Sequence, residues 1–193
     1  MTRIIAGRAG GTSLDVPDRG TRPTSDRVRE SLFGALESAD ALRGTRVIDL
    51  YAGSGALGLE AASRGAASVD LVERGAPAAA VVQRNAARVQ KALGREAAIR
   101  VHRASVATYL ARAAGPYDLA FLDPPYDLSD ADLSSALAAL RPLLSDEALV
   151  VVERARRSPA PDWHAAGLEG VRDRAYGDTT MWWGQPRPES QSR

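Results

Sequence analysis

The chain is 193 residues long and 45% hydrophobic, enough for one α/β domain with a core and a short extension. Its 25 Lys+Arg and 24 Asp+Glu leave a net charge of +1, so no global field points to a nucleic-acid partner, although a local basic face is compatible with a neutral total. The absence of cysteine excludes disulfides and thiolate metal sites, the two histidines form no cluster, and neither a membrane-length apolar run nor a signal-peptide pattern occurs, so the expectation is a metal-free cytoplasmic protein.

Residues 1–23 read as an N-terminal extension. Ile4-Ile5-Ala6 and Ser13-Leu14 are short strand candidates around the Gly-rich stretch 7–11, which predicts a hairpin. Arg3, Arg8, Arg19 and Arg22 lie in this segment. Thr24-Ser25-Asp26 supplies hydroxyls and an acid to start a helix with Val28, Leu32, Phe33 and Leu36 as its apolar stripe. From Arg46 onward strands and helices alternate. The pattern predicts strands at 47–50, 69–73, 98–101, 117–122 and 148–153, and helices at 56–64, 77–93, 106–113 and 129–140. Such alternation means a parallel, doubly wound sheet. Residues 168–176 and 179–183 then read as two closing antiparallel strands, with Trp182 and Trp183 on an edge and at least one of them in the core. Residues 186–193 have the composition of a disordered tail. His102 and His164 read as incidental, and Asn85 as a helix–loop hydrogen bond.

Two motifs carry chemistry. Asp123-Pro124-Pro125-Tyr126 follows the apolar run 119–122 at the C-terminal end of a strand. An amine conjugated to a ring is a weak nucleophile because its lone pair is delocalised. The Asp123 carboxylate can accept one N–H and the Pro124 carbonyl the other, favouring a pyramidal nitrogen whose lone pair is free to attack. Proline keeps that loop rigid, and Tyr126 offers a ring on which a flat base stacks.

The second motif, Gly53-Ser54-Gly55-Ala56-Leu57-Gly58, matches G-x-G-x-x-G between a strand and a helix, with Glu73 ending the next strand where an acid can bind a ribose diol. A nicotinamide dehydrogenase shares that pattern. Asp49, just ahead of the glycines, would repel a pyrophosphate and welcome a cationic amine, and no hydride-transfer constellation is visible. S-adenosylmethionine, with an amine, a sulfonium, a ribose and no phosphate, fits the charge pattern. The two motifs together predict an amine methyltransferase whose Asp49, glycine loop and Asp123 surround one crevice at the topological switch point.

The chain resembles the bacterial RsmD family of 16S rRNA guanine-N2 methyltransferases along nearly its whole length. The resemblance rests on Arg3-Ile4-Ile5-Ala6-Gly7, the block 21–33 (Thr-Arg-Pro-Thr-Ser-Asp-Arg-Val-Arg-Glu-Ser-Leu-Phe), the segments 49–58 and 123–126, and Tyr176-Gly177-Asp178-Thr179. The block 21–33 is the specific signal, since the other motifs recur in many amine methyltransferases. The resemblance implies a Rossmann-like, seven-stranded class I methyltransferase fold over residues 24–185 with the small β-hairpin extension as a contact for rRNA. It implies S-adenosylmethionine as cofactor and, as acceptor, the N2 amine of a guanine in 16S rRNA of the small ribosomal subunit or its assembly intermediate, served by a monomer. Asp49, Tyr51, Gly53, Ser54, Gly55, Glu73, Ala104, Ser105 and Asp123 would bind the cofactor, and Asp123, Pro124 and Tyr126 would act on the base. Arg103 stands where the family commonly has Asn or Asp, leaving the adenine to the Ser105 hydroxyl or backbone. Arg3, Arg8, Arg22, Arg27 and Arg29 are the candidates for RNA contact. Two other readings are an amine methyltransferase acting on adenine in DNA or on another RNA, and an RNA-binding assembly factor without turnover.

Overall fold

The computed structural model describes residues 2–17 and 25–188. Nine strands and five α-helices are present among them: β1 (Thr2–Arg3), β2 (Ser13–Leu14), α1 (Asp26–Ser38), β3 (Arg46–Leu50), α2 (Ala56–Ser63), β4 (Ser68–Glu73), α3 (Ala76–Leu93), β5 (Ala98–Arg103), α4 (Val106–Leu110), β6 (Tyr117–Leu122), α5 (Asp130–Leu140), β7 (Leu144–Ala155), β8 (Leu168–Tyr176) and β9 (Thr179–Pro186). Strands β3–β9 form one seven-stranded sheet in the order β5-β4-β3-β6-β7-β9-β8. β3 pairs in parallel with both β4 and β6, so the strand order reverses between them and opens a crevice at their C-terminal ends. Beyond β7 the sheet turns antiparallel, because β8 and β9 are joined by the tight turn at Gly177-Asp178.

The central strands carry apolar side chains on both faces, as buried parallel strands must. Leu119, Ala120, Phe121 and Leu122 of β6 are all buried. One face packs against α1, α2 and α3, with Phe33 of α1 tilted on Phe121 at 5.8 Å. The other packs against α4 and α5 through Leu110, Leu133, Leu137 and Leu140. Among the described residues no helix is long and apolar enough to cross a membrane.

Three expectations change. β1 lies at Thr2–Arg3, and Ile4-Ile5-Ala6 is not a strand: the Glu60 carboxylate accepts from Ile5 N at 2.7 Å and Ala6 N at 3.0 Å, removing those amides from any ladder. β9 is not an edge strand; it lies between β7 and β8, with Trp183 buried against the α1 face. Arg29 is not an RNA contact. It is fully buried and occupies the first position of the α1 stripe that continues through Leu32, Phe33 and Leu36.

Arg29 and Glu60 seat the hairpin on the main core. The Arg29 guanidinium donates to Thr2 Oγ1 (2.8 Å), the Arg3 carbonyl (2.8 Å) and Asp26 Oδ1 (2.7 Å), and lies 3.9 Å from Glu60. The bond from Arg29 is the main reason the Asp26 carboxyl lies below the usual range. Ile4 and Leu14 are buried in the same cluster as α1, so the hairpin is part of the core rather than a free arm. At Gly7, with φ +79°, a Cβ would sit 2.0 Å from the Ser63 carbonyl oxygen, so only glycine lets the hairpin approach α2 this closely.

Removing one partner of a buried, hydrogen-bonded charge pair costs about 3–5 kcal/mol. Arg29→Ala is expected to lower urea-measured stability by about 3 kcal/mol and to expose residues 2–14 to limited proteolysis. A change below about 0.5 kcal/mol, the level of an ordinary surface substitution, would show that Arg29 does not hold the hairpin.

Candidate active site

The turn after β3 shapes the crevice. Within five residues Tyr51 (φ 64°), Gly53 (φ 58°) and Gly55 (φ 80°) adopt left-handed backbone, which folds the chain tightly from strand to helix. For Tyr51 this conformation costs on the order of 1 kcal/mol. Gly55 N donates to the Ala52 carbonyl, and Asn85 Nδ2 donates to the Ser54 carbonyl at 2.8 Å while also bonding the backbone of Asp15. Asn85 is thus the helix–loop tie that its position suggests. A Cβ at Gly58 would meet Leu71 Cδ2 at 2.4 Å, so the third glycine sets how closely α2 lies on β4.

The cleft above this turn has a volume of about 600 Å³, the size of a cofactor site. Tyr51, Gly53 and Glu73 form one wall. Asp123, Pro124, Pro125 and Tyr126 form another, and Ala104, Ser105 and Val106 close the β5 end. The Glu73 carboxylate is fixed there by two backbone amides, Gly53 N at 3.1 Å and Gly75 N at 2.7 Å. Asp123 is half-buried, Pro124 is buried, and the Tyr126 ring is 64% exposed, an unusual state for an aromatic and one suited to stacking. Arg154, buried beside this loop, braces it by donating to Asp130 Oδ1 (2.6 Å) and the Leu128 carbonyl (3.2 Å).

Asp49, Ser54 and Gly55, expected to touch the cofactor, do not line the cleft. The buried Asp49 carboxylate accepts from Gly58 N at 2.9 Å. Burial pushes its carboxyl up to about 7, with the Gly58 bond opposing and the Glu73 charge adding to the rise. The Asp123 carboxyl is also raised well above the usual range, by burial first and then by the charges of Glu153 and Asp49. The floor of the cleft therefore favours a proton or a cation. Glu153 was not singled out in the sequence. It ends the apolar run Val150-Val151-Val152, and the β6–β7 register sets it beside Asp123. An acid closing a buried strand next to a motif strand was the available signal.

The Ser105 hydroxyl is already engaged, accepting from Thr108 N at 3.1 Å as the cap of α4 and donating to Thr108 Oγ1. The RNA candidates differ in their surroundings. Arg3 and Arg27 are exposed, Arg8 is paired with Glu96, Arg29 is buried, and Arg22 lies outside the described residues.

The family described as conserved hypothetical protein 95 matches residues 2–185. The chain belongs to this family. Among its relatives, ribosomal RNA small subunit methyltransferase D of Escherichia coli K12 is 38% identical over 152 residues, 78% of this chain and 73% of the relative. The putative rRNA methyltransferase YlbH of Bacillus subtilis is 33% identical over 180 residues, 92% of this chain and 95% of the relative. Of the solved structures, the putative methyltransferase yhhF from E. coli superposes with a TM-score of 0.78 at 34% identity, covering 96% of this chain and 98% of that one. The family is therefore the RsmD family that the motifs resemble.

Because the folded-state pKa of Asp49 is raised from 3.8 to about 7, the folded chain holds a proton that the unfolded chain releases. Its contribution to stability is thus full below the unfolded value and is lost as pH rises toward about 7. The stability of Asp49→Asn relative to the unsubstituted protein should improve steadily over that window and level off above it. A difference independent of pH, measured by urea unfolding, would contradict the buried-carboxyl assignment.

Proposed function

We propose that the protein transfers a methyl group from S-adenosylmethionine to the exocyclic N2 amine of a guanine in 16S rRNA. The observation that carries this is the shared cleft: the amide-held Glu73 and the Asp123-Pro124-Pro125-Tyr126 loop face one cavity of cofactor size. The names of the relatives support rRNA of the small subunit as the acceptor. The family's whole-chain match supports the same activity.

The residues present fit the cofactor. Glu73 would hold the ribose hydroxyls, with Tyr51 and Gly53 against the methionine portion. Ala104 and Ser105 would border the adenine, and because the Ser105 hydroxyl caps α4, the backbone there is the group left to meet the ring edge. Asp49 would act from beneath, as a buried negative charge that favours a cationic ligand. When bound, S-adenosylmethionine supplies a methyl group on a positively charged sulfur.

Tyr126 would stack on the guanine and hold its amine over Asp123. The Asp123 carboxylate and the Pro124 carbonyl would accept its two N–H bonds, leaving the nitrogen lone pair free to attack in line. Transfer would form an N–C bond as the C–S bond breaks, its electron pair staying on sulfur. The nitrogen then sheds one proton, and Asp123, whose carboxyl is raised by burial and Glu153, is placed to take it. The group that would leave is a neutral thioether, which departs readily without a Lewis acid. The finer reading is a metal-free monomer in the cytoplasm, acting on the small subunit or its assembly intermediate. Methylation of adenine in DNA is not favoured: the matched family spans nearly the whole chain and leaves no separate target-reading domain among the described residues.

Asp123→Ala should reduce methyl transfer to small subunits by about 10²–10³-fold, consistent with loss of transition-state stabilisation, while cofactor binding by calorimetry is largely retained. Near-normal turnover in that variant would remove Asp123 from the mechanism. Cofactor affinity should rise with pH up to about 7 and then flatten, because binding a cation expels the Asp49 proton. An affinity that falls over that range would contradict this.

A further inference from the structure

A second concavity, of about 720 Å³, meets the cofactor cleft at Ala104. It exists because α4 is only five residues long and leaves uncovered the sheet face made by the start of β3, the middle of β4, β5 and the start of β6. Where α5 covers this face it meets leucines and valines. Here the residues are Asp70, Arg100, His102, Tyr109 and Tyr117, with Arg46, Arg103 and Arg112 completing the basic lining. Four arginines thus face one carboxylate, in a chain whose whole net charge is +1.

The arrangement is preorganised. Asp70 is buried and accepts from Arg100 Nε at 2.8 Å and Nη2 at 3.0 Å, bonds His102 Nε2 at 2.7 Å, and accepts from the Tyr117 hydroxyl at 3.2 Å. Burial opposes its ionisation, but the Arg100 and His102 bonds keep its carboxyl below the usual range. The Arg100 guanidinium is pinned in this way on one side, and its side chain remains 49% exposed. The His102 and Tyr109 rings pack at 4.6 Å. Arg103 and Arg112 are exposed and have no acidic partner among the described residues. Around the hairpin Arg3 and Arg27 are exposed, but Arg8 is compensated by Glu96, and Arg84 and Arg88 by Asp15.

We propose that this groove is a docking track for the phosphodiester backbone of the RNA acceptor, with Arg100, Arg103 and Arg112 on its phosphates. Fixed guanidinium forks match phosphate oxygens, and such contacts set orientation without reading sequence. β5, along the groove, spans about 20 Å, the reach of several nucleotides. The proposal rests on the reading of the acceptor as RNA.

The test uses the full-length protein with Arg103→Glu/Arg112→Glu, the milder Arg103→Gln/Arg112→Gln, and a charge-matched Arg43→Glu/Arg95→Glu control at exposed arginines outside the groove. Binding to unmethylated 16S rRNA is measured against salt, and methyl transfer to unmethylated small subunits in parallel. The groove reversal should weaken binding at least about tenfold and lower the slope of log K against log salt by about 1.5, two phosphate contacts' worth. The Gln pair should fall between, and the control should change binding about threefold or less. Groove variants that bind like the unsubstituted protein, or no worse than the control, overturn the track while leaving the activity intact. A groove effect on binding in a protein that transfers no methyl to subunits would keep the track and reject the proposed substrate.

Discussion

One hydrogen bond, from the Gly58 amide to the buried Asp49 carboxylate, fixes most of what matters around the cleft. It ties the first turn of α2 to the end of β3 and so sets the course of the glycine turn between them. The approach is close enough that a Cβ at Gly58 would overlap Leu71, Val69 and Asp49. The same bond keeps a carboxylate in a place where water cannot reach it. That charge contributes to the raised carboxyl of Asp123 across the adjoining strand. Helix position and turn shape thus depend on this bond, while burial raises the Asp49 carboxyl and its charge adds to the rise at Asp123.

The acids at the strand ends are graded by their surroundings. Glu73 faces the cleft with both oxygens held by backbone amides, a geometry suited to accepting further hydroxyls. Asp49 is buried, accepts from the Gly58 amide and does not line the cleft. Asp123 stands beside Glu153 at the ends of β6 and β7, where burial and like charge raise its carboxyl. Under the proposed reaction a cationic cofactor would relieve this repulsion, and a neutral amine would find an acceptor already in place. The sheet end thus carries four acids in three different settings: one held by amides, one buried, and a neighbouring pair.

The parts of this arrangement that depend on neighbours in sequence were legible from sequence. The strand–helix alternation, the glycine turn, Glu73 and the Asp-Pro-Pro-Tyr loop all appear where their local patterns place them. Arg29 is not legible as a core residue because the apolar stripe reads through Val28 and leaves the arginine off it, and only the folded hairpin supplies the acceptors that let it be buried. Glu153 depended on the β6–β7 register, and Trp183 on β9 being inserted between β7 and β8. The basic groove was invisible for a similar reason. Arg46, Arg100 and Arg112 come from three separate segments, and they meet only because α4 stops at Leu110. Which arginines are free and which are spent on acids is a property of the fold, not of composition.

The measurement that bears most directly on the account is transfer of labelled methyl from S-adenosylmethionine to unmethylated small ribosomal subunits, naked 16S rRNA and duplex DNA, followed by nucleoside analysis. N2-methylguanine is expected in the small subunits and no methyladenine in DNA. Label recovered as methyladenine, or no transfer to any ribosomal acceptor by a protein that binds the cofactor, would contradict it.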